Sequence, residues 1–161
     1  MVLMGVAGCG KSSVGAALSP AIDAVYTDGD DLHPQSSIDK MSAGHPLTDE
    51  DRWPWLQAVG QSLAESKGRA IIGCSALKRT YRDAITQAAG EPVTFVHLSG
   101  SRAVIESRMA ARQGHFMPTA LLDSQFATLE PPSLAENAIA VDIDQPIENI
   151  VSDIQEKLSR K

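Results

Sequence analysis

Apolar residues along this chain fall into short continuous runs, separated by longer stretches where they recur every three or four positions. The runs are Val2–Gly5, Ala24–Asp28, Ala70–Cys74, Val93–Leu98 and Ala138–Ile143. Their brevity and their Val and Ile content predict strands covered on both faces. Between them, helical spacing links Val14, Ala17 and Leu18, then Trp55, Leu56, Val59 and Leu63, then Ile105 and Met109, then Leu122, Phe126 and Leu129. A last stripe of Ile147, Ile150, Val151, Ile154 and Leu158 follows Pro146. Proline fits a first helical turn, so the helix containing Pro54 is expected to begin near Asp51, and the one after Pro118 close to that residue. Ser101 is expected to open its helix, and Asp31 to cap one at Pro34. Five strands alternating with helices predict an α/β fold with a mostly parallel sheet and right-handed crossovers. With no repeat, low-complexity tract or linker, one domain over residues 1–161 is the expectation. Ligands in such folds gather beyond the carboxyl ends of the strands, so the residues there carry the chemistry.

The first strand runs into G-V-A-G-C-G-K-S at Gly5–Ser12, which matches G-x-x-x-x-G-K-[ST]. Glycines there let backbone N–H groups line a concave nest at the positive end of the next helix, a site for a polyphosphate. Lys11 is expected to reach the β- and γ-phosphates, and the Ser12 hydroxyl to meet the accompanying Mg²⁺. Gly5, Gly8, Cys9, Gly10, Lys11, Ser12 and Ser13 are therefore the expected nucleotide-binding residues.

Composition narrows the partners. At 161 residues with 43% hydrophobic and 21% charged positions, the chain reads as a globular domain. A net charge of −6 argues against a general nucleic-acid binder. No run reaches membrane-spanning length, and the expected location is cytoplasmic. Cys9 and Cys74 carry no zinc spacing and read as two reduced thiols in tight places. The four histidines form no metal-ligand pattern; His97 lies within a strand, whereas His33 and His115 fall in the expected site.

Beyond the second strand lies D-G-D-D-L-H-P at Asp28–Pro34. If the chain stays extended through Gly29, Asp28 and Asp30 point the same way. Facing a Mg·ATP site, such a pair suits metal–water coordination and acceptance of a hydroxyl proton, though Asp and Gly also suit a turn. Beyond the third strand, Lys78 and Arg82 stand four apart at the start of a helix, and an acidic substrate there would relieve their conflict with its dipole. Beyond the fourth, Arg108 and Arg112 share a helix face leading into Gln113-Gly114-His115-Phe116-Met117-Pro118. A lid over ATP, at about residues 109–123, would bring guanidinium charge to the transferring phosphoryl group. These groups favour phosphoryl transfer over a nucleotide switch, which needs no second small-molecule pocket.

Taken together, these residues resemble the bacterial-type gluconokinases, small kinases akin to shikimate and nucleoside monophosphate kinases. The likeness rests on the phosphate loop, D-G-D-D-L-H-P, Lys40-Met41 with Gly44, and P-L-T-D-E-D-R-W-P-W-L at Pro46–Leu56. It continues through C-S-A-L-K-R-T-Y-R-D at Cys74–Asp83, Ile105–Arg108 with Gly114–Phe116, and V-D-I-D-Q-P at Val141–Pro146. The resemblance implies a P-loop kinase fold with strand order 2-3-1-4-5, a mobile lid, a homodimer and ATP-dependent phosphorylation of D-gluconate at its 6-hydroxyl. Gln145 and Pro146 would then contact adenine, alongside Arg108 and Arg112 on the nucleotide. The expected catalytic groups are Lys11, Asp30 and Arg112, with Asp28 and Ser12 holding Mg²⁺, Asp28 through water. Asp30, His33, Arg52, Lys78, Arg82 and His115 are the expected substrate contacts. Another small-metabolite kinase on the same scaffold, such as a shikimate kinase, is the alternative.

Overall fold

The structure is a computed structural model that describes residues 1–112 and 119–161. Five strands form one parallel sheet: β1 (Val2–Met4), β2 (Ala24–Asp28), β3 (Arg69–Gly73), β4 (Phe95–Ser99) and β5 (Ala138–Asp142), in the order β2-β3-β1-β4-β5. The register places Val2 beside Ile72 and Phe95, and Leu3 beside Gly73 and Val96. Successive side chains therefore alternate between two cores. Leu3, Ile71, Val96 and Leu98 join one, while Val2, Met4, Ile72 and Phe95 join the other.

Helices cover both faces. On the Leu3 side lie α1 (Lys11–Ala21) and α7 (Ile147–Ser159), contributing Val14, Leu18, Ile150 and Ile154, with Ile105 from α5 (Arg102–Ala111). On the other side α3 (Asp49–Glu65) packs against α4 (Arg79–Ala89) through Leu56, Val59, Tyr81 and Ile85. A Cβ built on Gly60 would stand 2.4 Å from the Ile85 carbonyl oxygen, so these two helices approach as closely as glycine permits. The remaining helices are α2 (Gln35–Ser42) and α6 (Thr119–Thr128).

Several local expectations change. α3 starts at Asp49 rather than Asp51, because Thr48 and Asp51 form a reciprocal capping box across its first turn. Pro54 lies beyond that turn and leaves the Glu50 carbonyl without its helical donor. Asp31 caps nothing: it belongs to a 3₁₀ turn at Gly29–Leu32, and Pro34 precedes α2 with no side-chain cap. Ser101 does cap α5, accepting from the Val104 N–H at 3.3 Å. Pro118 and the middle of the expected lid lie outside the described residues.

Candidate active site

The loop between β1 and α1 turns on glycines. Gly8 and Gly10 adopt φ of +81° and +98°, in the left-handed region that residues with a Cβ disfavour. The loop's other side is filled: a Cβ on Gly8 would meet the Met109 side chain at 2.7 Å. Lys11 Nζ donates to the carbonyls of Gly5 at 3.0 Å and Val6 at 3.2 Å, so the ammonium lies over the loop. Ala7 N–H donates to Gln125 Oε1 at 2.6 Å, a contact from α6 that no sequence motif announced.

A cleft of about 180 Å³ opens at the loop, lined in part by Lys11, Ser12, Asp28, Asp30 and Arg112. These are the expected phosphate, metal and proton-accepting groups, brought together from α1, the end of β2 and the end of α5. The Asp28–Asp30 pair reaches the cleft by an unexpected route. The chain bends at Gly29 into the 3₁₀ turn, and Asp28 Oδ1 accepts the Asp30 N–H at 3.0 Å. Trp55 braces that turn by donating its indole N–H to the Gly29 carbonyl at 2.7 Å.

Asp30 is open to solvent at its tip, with 82% of its side chain exposed, yet stands within the cleft walls. That partial loss of water and the nearby Asp28 charge hold its pKa above the ordinary carboxylate value, against the pull of His33 and Lys11. His33 stacks on Trp55 with ring centroids 4.1 Å apart, and its Nε2 lies 4.0 Å from Asp30 Oδ1. Burial pushes the His33 pKa down, and the Arg52 charge adds to that. Among the described residues, the buried side-chain polar atoms without a partner are His33 Nδ1 and the Tyr26 hydroxyl. Both belong to residues flanking Asp30, and Tyr26 lines the cleft itself. Unpaired polar atoms are costly in an interior and are tolerated where a ligand or water completes them.

Lys78 and Arg52 meet at Asp49. Lys78 Nζ lies 3.1 Å from Asp49 Oδ2, Arg52 Nη1 lies 3.5 Å from Oδ1, and the Tyr81 hydroxyl donates to Oδ1. Asp49 escaped the sequence reading because an acidic residue at a helix start is ordinary helix chemistry.

Arg82 departs from its expected role. Its side chain is 1% exposed, and its Nε and Nη2 donate to Glu136 at 2.6 and 3.1 Å. Its Nη1 donates to the carbonyls of Ala76 and Leu77. Lys78, as the residue before α4, keeps an extended backbone and points to Asp49, so helical spacing does not set both side chains on one face.

Arg108 donates from Nη2 to the carbonyls of Ile143 and Gln145, joining α5 to the segment before α7. The Gln145 amide in turn donates to the Asp142 carbonyl and to Asp153. Arg108 is thus a neighbour of the Gln145–Pro146 segment. Cys9 and Cys74 are both buried, and complete burial pushes the Cys74 thiol up to about 12. His97 is buried within β4, as expected of a structural residue. His115 lies outside the described residues.

A hydroxyl, two carboxylates and the unpaired Tyr26 hydroxyl around one phosphate loop fit a hydrated Mg²⁺ held chiefly by phosphates. The fold and the cleft together define a P-loop phosphotransferase.

Comparison with known proteins narrows the class. The AAA domain family model matches residues 1–132. The chain is 44% identical to the thermoresistant gluconokinase of Escherichia coli (strain K12), across 99% of this chain and 93% of that protein. It is 40% identical to a probable gluconokinase of Xenopus tropicalis, across 100% and 94%. The crystal structure of a gluconokinase from Sinorhizobium meliloti 1021 superimposes with a TM-score of 0.90 at 49% identity, covering 99% of this chain and 90% of that one. Shikimate kinase from Aquifex aeolicus vf5 has a TM-score of 0.63 at 17% identity, a likeness of fold alone. The chain belongs to the gluconokinase family.

Proposed function

We propose that this protein transfers the γ-phosphoryl group of ATP to the 6-hydroxyl of D-gluconate, giving 6-phosphogluconate and ADP. The observation that carries this reading is the convergence of Lys11, Ser12, Asp28, Asp30 and Arg112 on one cleft at the phosphate loop. Loop N–H groups cradle the phosphates, and Lys11 with Arg112 offsets charge on the moving phosphoryl group. Ser12 and, through water, Asp28 would hold Mg²⁺, which would supply positive charge against the phosphates. Asp30 accepts the proton of the attacking hydroxyl and holds that oxygen in line. His33 bonds an inner hydroxyl of the sugar acid, and Lys78 with Arg52 holds its carboxylate. Arg108, Gln145 and Pro146 border the adenine. The same reading includes a homodimer, which light scattering would register, and a cytoplasmic location where ATP is at hand.

Assays of ADP production with D-gluconate, shikimate and nucleoside monophosphates test the acceptor. Turnover of gluconate alone is expected; turnover of shikimate but not gluconate would replace the reading, and ATP consumption without any acceptor would favour a nucleotide switch. Asp30→Asn is expected to cut turnover by about 10²–10⁴ while leaving ATP affinity nearly unchanged. A parallel loss of nucleotide binding would instead make Asp30 a residue that holds the metal.

A further inference from the structure

We infer that Asp49, held by the Tyr81 hydroxyl, is a positioning residue that sets Lys78 and Arg52 as a receptor for one substrate carboxylate, and so determines selectivity for sugar acids over neutral polyols. This rests on the gluconate reading and extends it to a residue outside the expected site.

The cluster draws on two helices and the residue before one of them. Asp49 opens α3, Arg52 lies in its first turn, Lys78 precedes α4 and Tyr81 lies inside α4. Both cations sit at helix N-termini, where the dipole disfavours positive charge. One carboxylate serves both, which leaves the group with one net positive charge, the complement of a single carboxylate. The Tyr81 ring lies beneath both cations, with Lys78 Nζ 5.4 Å and Arg52 Cζ 5.8 Å from its centroid. Trp53 and Tyr81 pack edge to face with ring centroids 5.7 Å apart. The long cationic side chains are thereby held from two sides while staying about one third exposed, at 35% and 32%. Exposed ion pairs add little to stability, so fold stability alone does not account for four groups converging in this way.

Position supports the role. Arg52 lies one helical turn before Trp55, on which His33 stacks with ring centroids 4.1 Å apart, and His33 Nε2 lies 4.0 Å from Asp30. The polar groups thus run in the sequence Asp30, His33, then the Asp49 cluster. Between the two ends His33 keeps a buried Nδ1 with no partner. Asp49 is held in its ionised form chiefly by the Tyr81 and Lys78 hydrogen bonds, and Lys78 is held protonated by Asp49, so the charge pattern persists through neutral pH.

The test uses Asp49→Asn and Tyr81→Phe. Calorimetry measures binding of D-gluconate and of D-glucitol, its uncharged six-carbon counterpart, and steady-state assays separate KM from kcat. Asp49→Asn is expected to raise the gluconate KM roughly tenfold, the scale of one charge-assisted hydrogen bond, with kcat and the ATP KM little changed. The preference for gluconate over D-glucitol narrows by a similar factor. Tyr81→Phe, which keeps the ring, shifts both in the same direction by less and retains the test if Asp49→Asn folds poorly. An unchanged gluconate preference in either well-folded variant would reduce the cluster to a structural ion pair and overturn the inference. Tighter gluconate binding in Asp49→Asn would also overturn it, because Asp49 would then be competing with the substrate. If wild-type protein does not phosphorylate gluconate, the underlying reading fails first, and that outcome is distinct from both.

Discussion

Asp30 places a second negative charge beside Asp28 in the cleft. Its side chain is largely exposed, but desolvation at the cleft wall and the Asp28 charge raise its pKa, so the native state binds a proton somewhat more readily than the unfolded chain does. The resulting destabilisation is absent below the ordinary carboxylate pKa and complete above the raised native value. Asp30→Asn is therefore expected to be more heat-stable than wild type at neutral pH, with the difference shrinking as the pH falls into the acid range. Thermal unfolding of the two proteins across pH checks this; an equal or lower melting temperature at neutral pH would contradict it. Loss of activity with gain of stability is the signature of a group held for chemistry. The pair was legible from D-G-D alone, but its geometry was not. The bend at Gly29 and the Trp55 hydrogen bond to its carbonyl orient Asp30, and Trp55 reaches that turn from another helix.

Helix α4 shows how one element divides between site and scaffold. Lys78, before its first turn, faces Asp49, whereas Arg82 turns inward and ties α4 to Glu136 just before β5. Glu136 is 9% exposed and accepts also from the Ser133 N–H, so this pair pins the approach to the last strand. Arg82→Ala leaves Glu136 buried without its cation and the Ala76 carbonyl without its side-chain donor, while the Leu77 carbonyl keeps the Glu130 N–H. A loss on the order of 3–5 kcal/mol is expected, read by urea unfolding, with the gluconate KM of the folded enzyme unchanged. A raised KM with little loss of stability would return Arg82 to the substrate site. Sequence spacing placed Lys78 and Arg82 together because it assumes helical geometry at both. The extended backbone at Lys78 breaks that assumption.

Across the molecule, the nucleotide cleft draws on the end of β2, the start of α1 and the end of α5, so ligand binding is coupled to the integrity of the sheet. Mg·ATP at a hundredfold excess over its dissociation constant is expected to stabilise the fold by about 2.7 kcal/mol. For a chain of this size that corresponds to a rise of roughly 5–11 °C in Tm. Lys11→Ala should abolish most of the shift, and differential scanning fluorimetry with and without Mg·ATP reads it directly. An undiminished shift in the variant would show that Lys11 does not bear on the phosphates. The sequence by itself determined the alternating elements, the phosphate loop, the acidic pair and the family, because each is written in contiguous residues governed by local backbone geometry. Only the tertiary structure decided that Arg82 belongs to the scaffold, that Asp49 organises Lys78 and Arg52, and that Gln125 bonds the phosphate loop. Apart from Arg52, which is 3 positions from Asp49, those partners lie 29 to 118 positions apart. A side chain's charge is legible in sequence, but which other charge will satisfy it depends on what burial brings within reach.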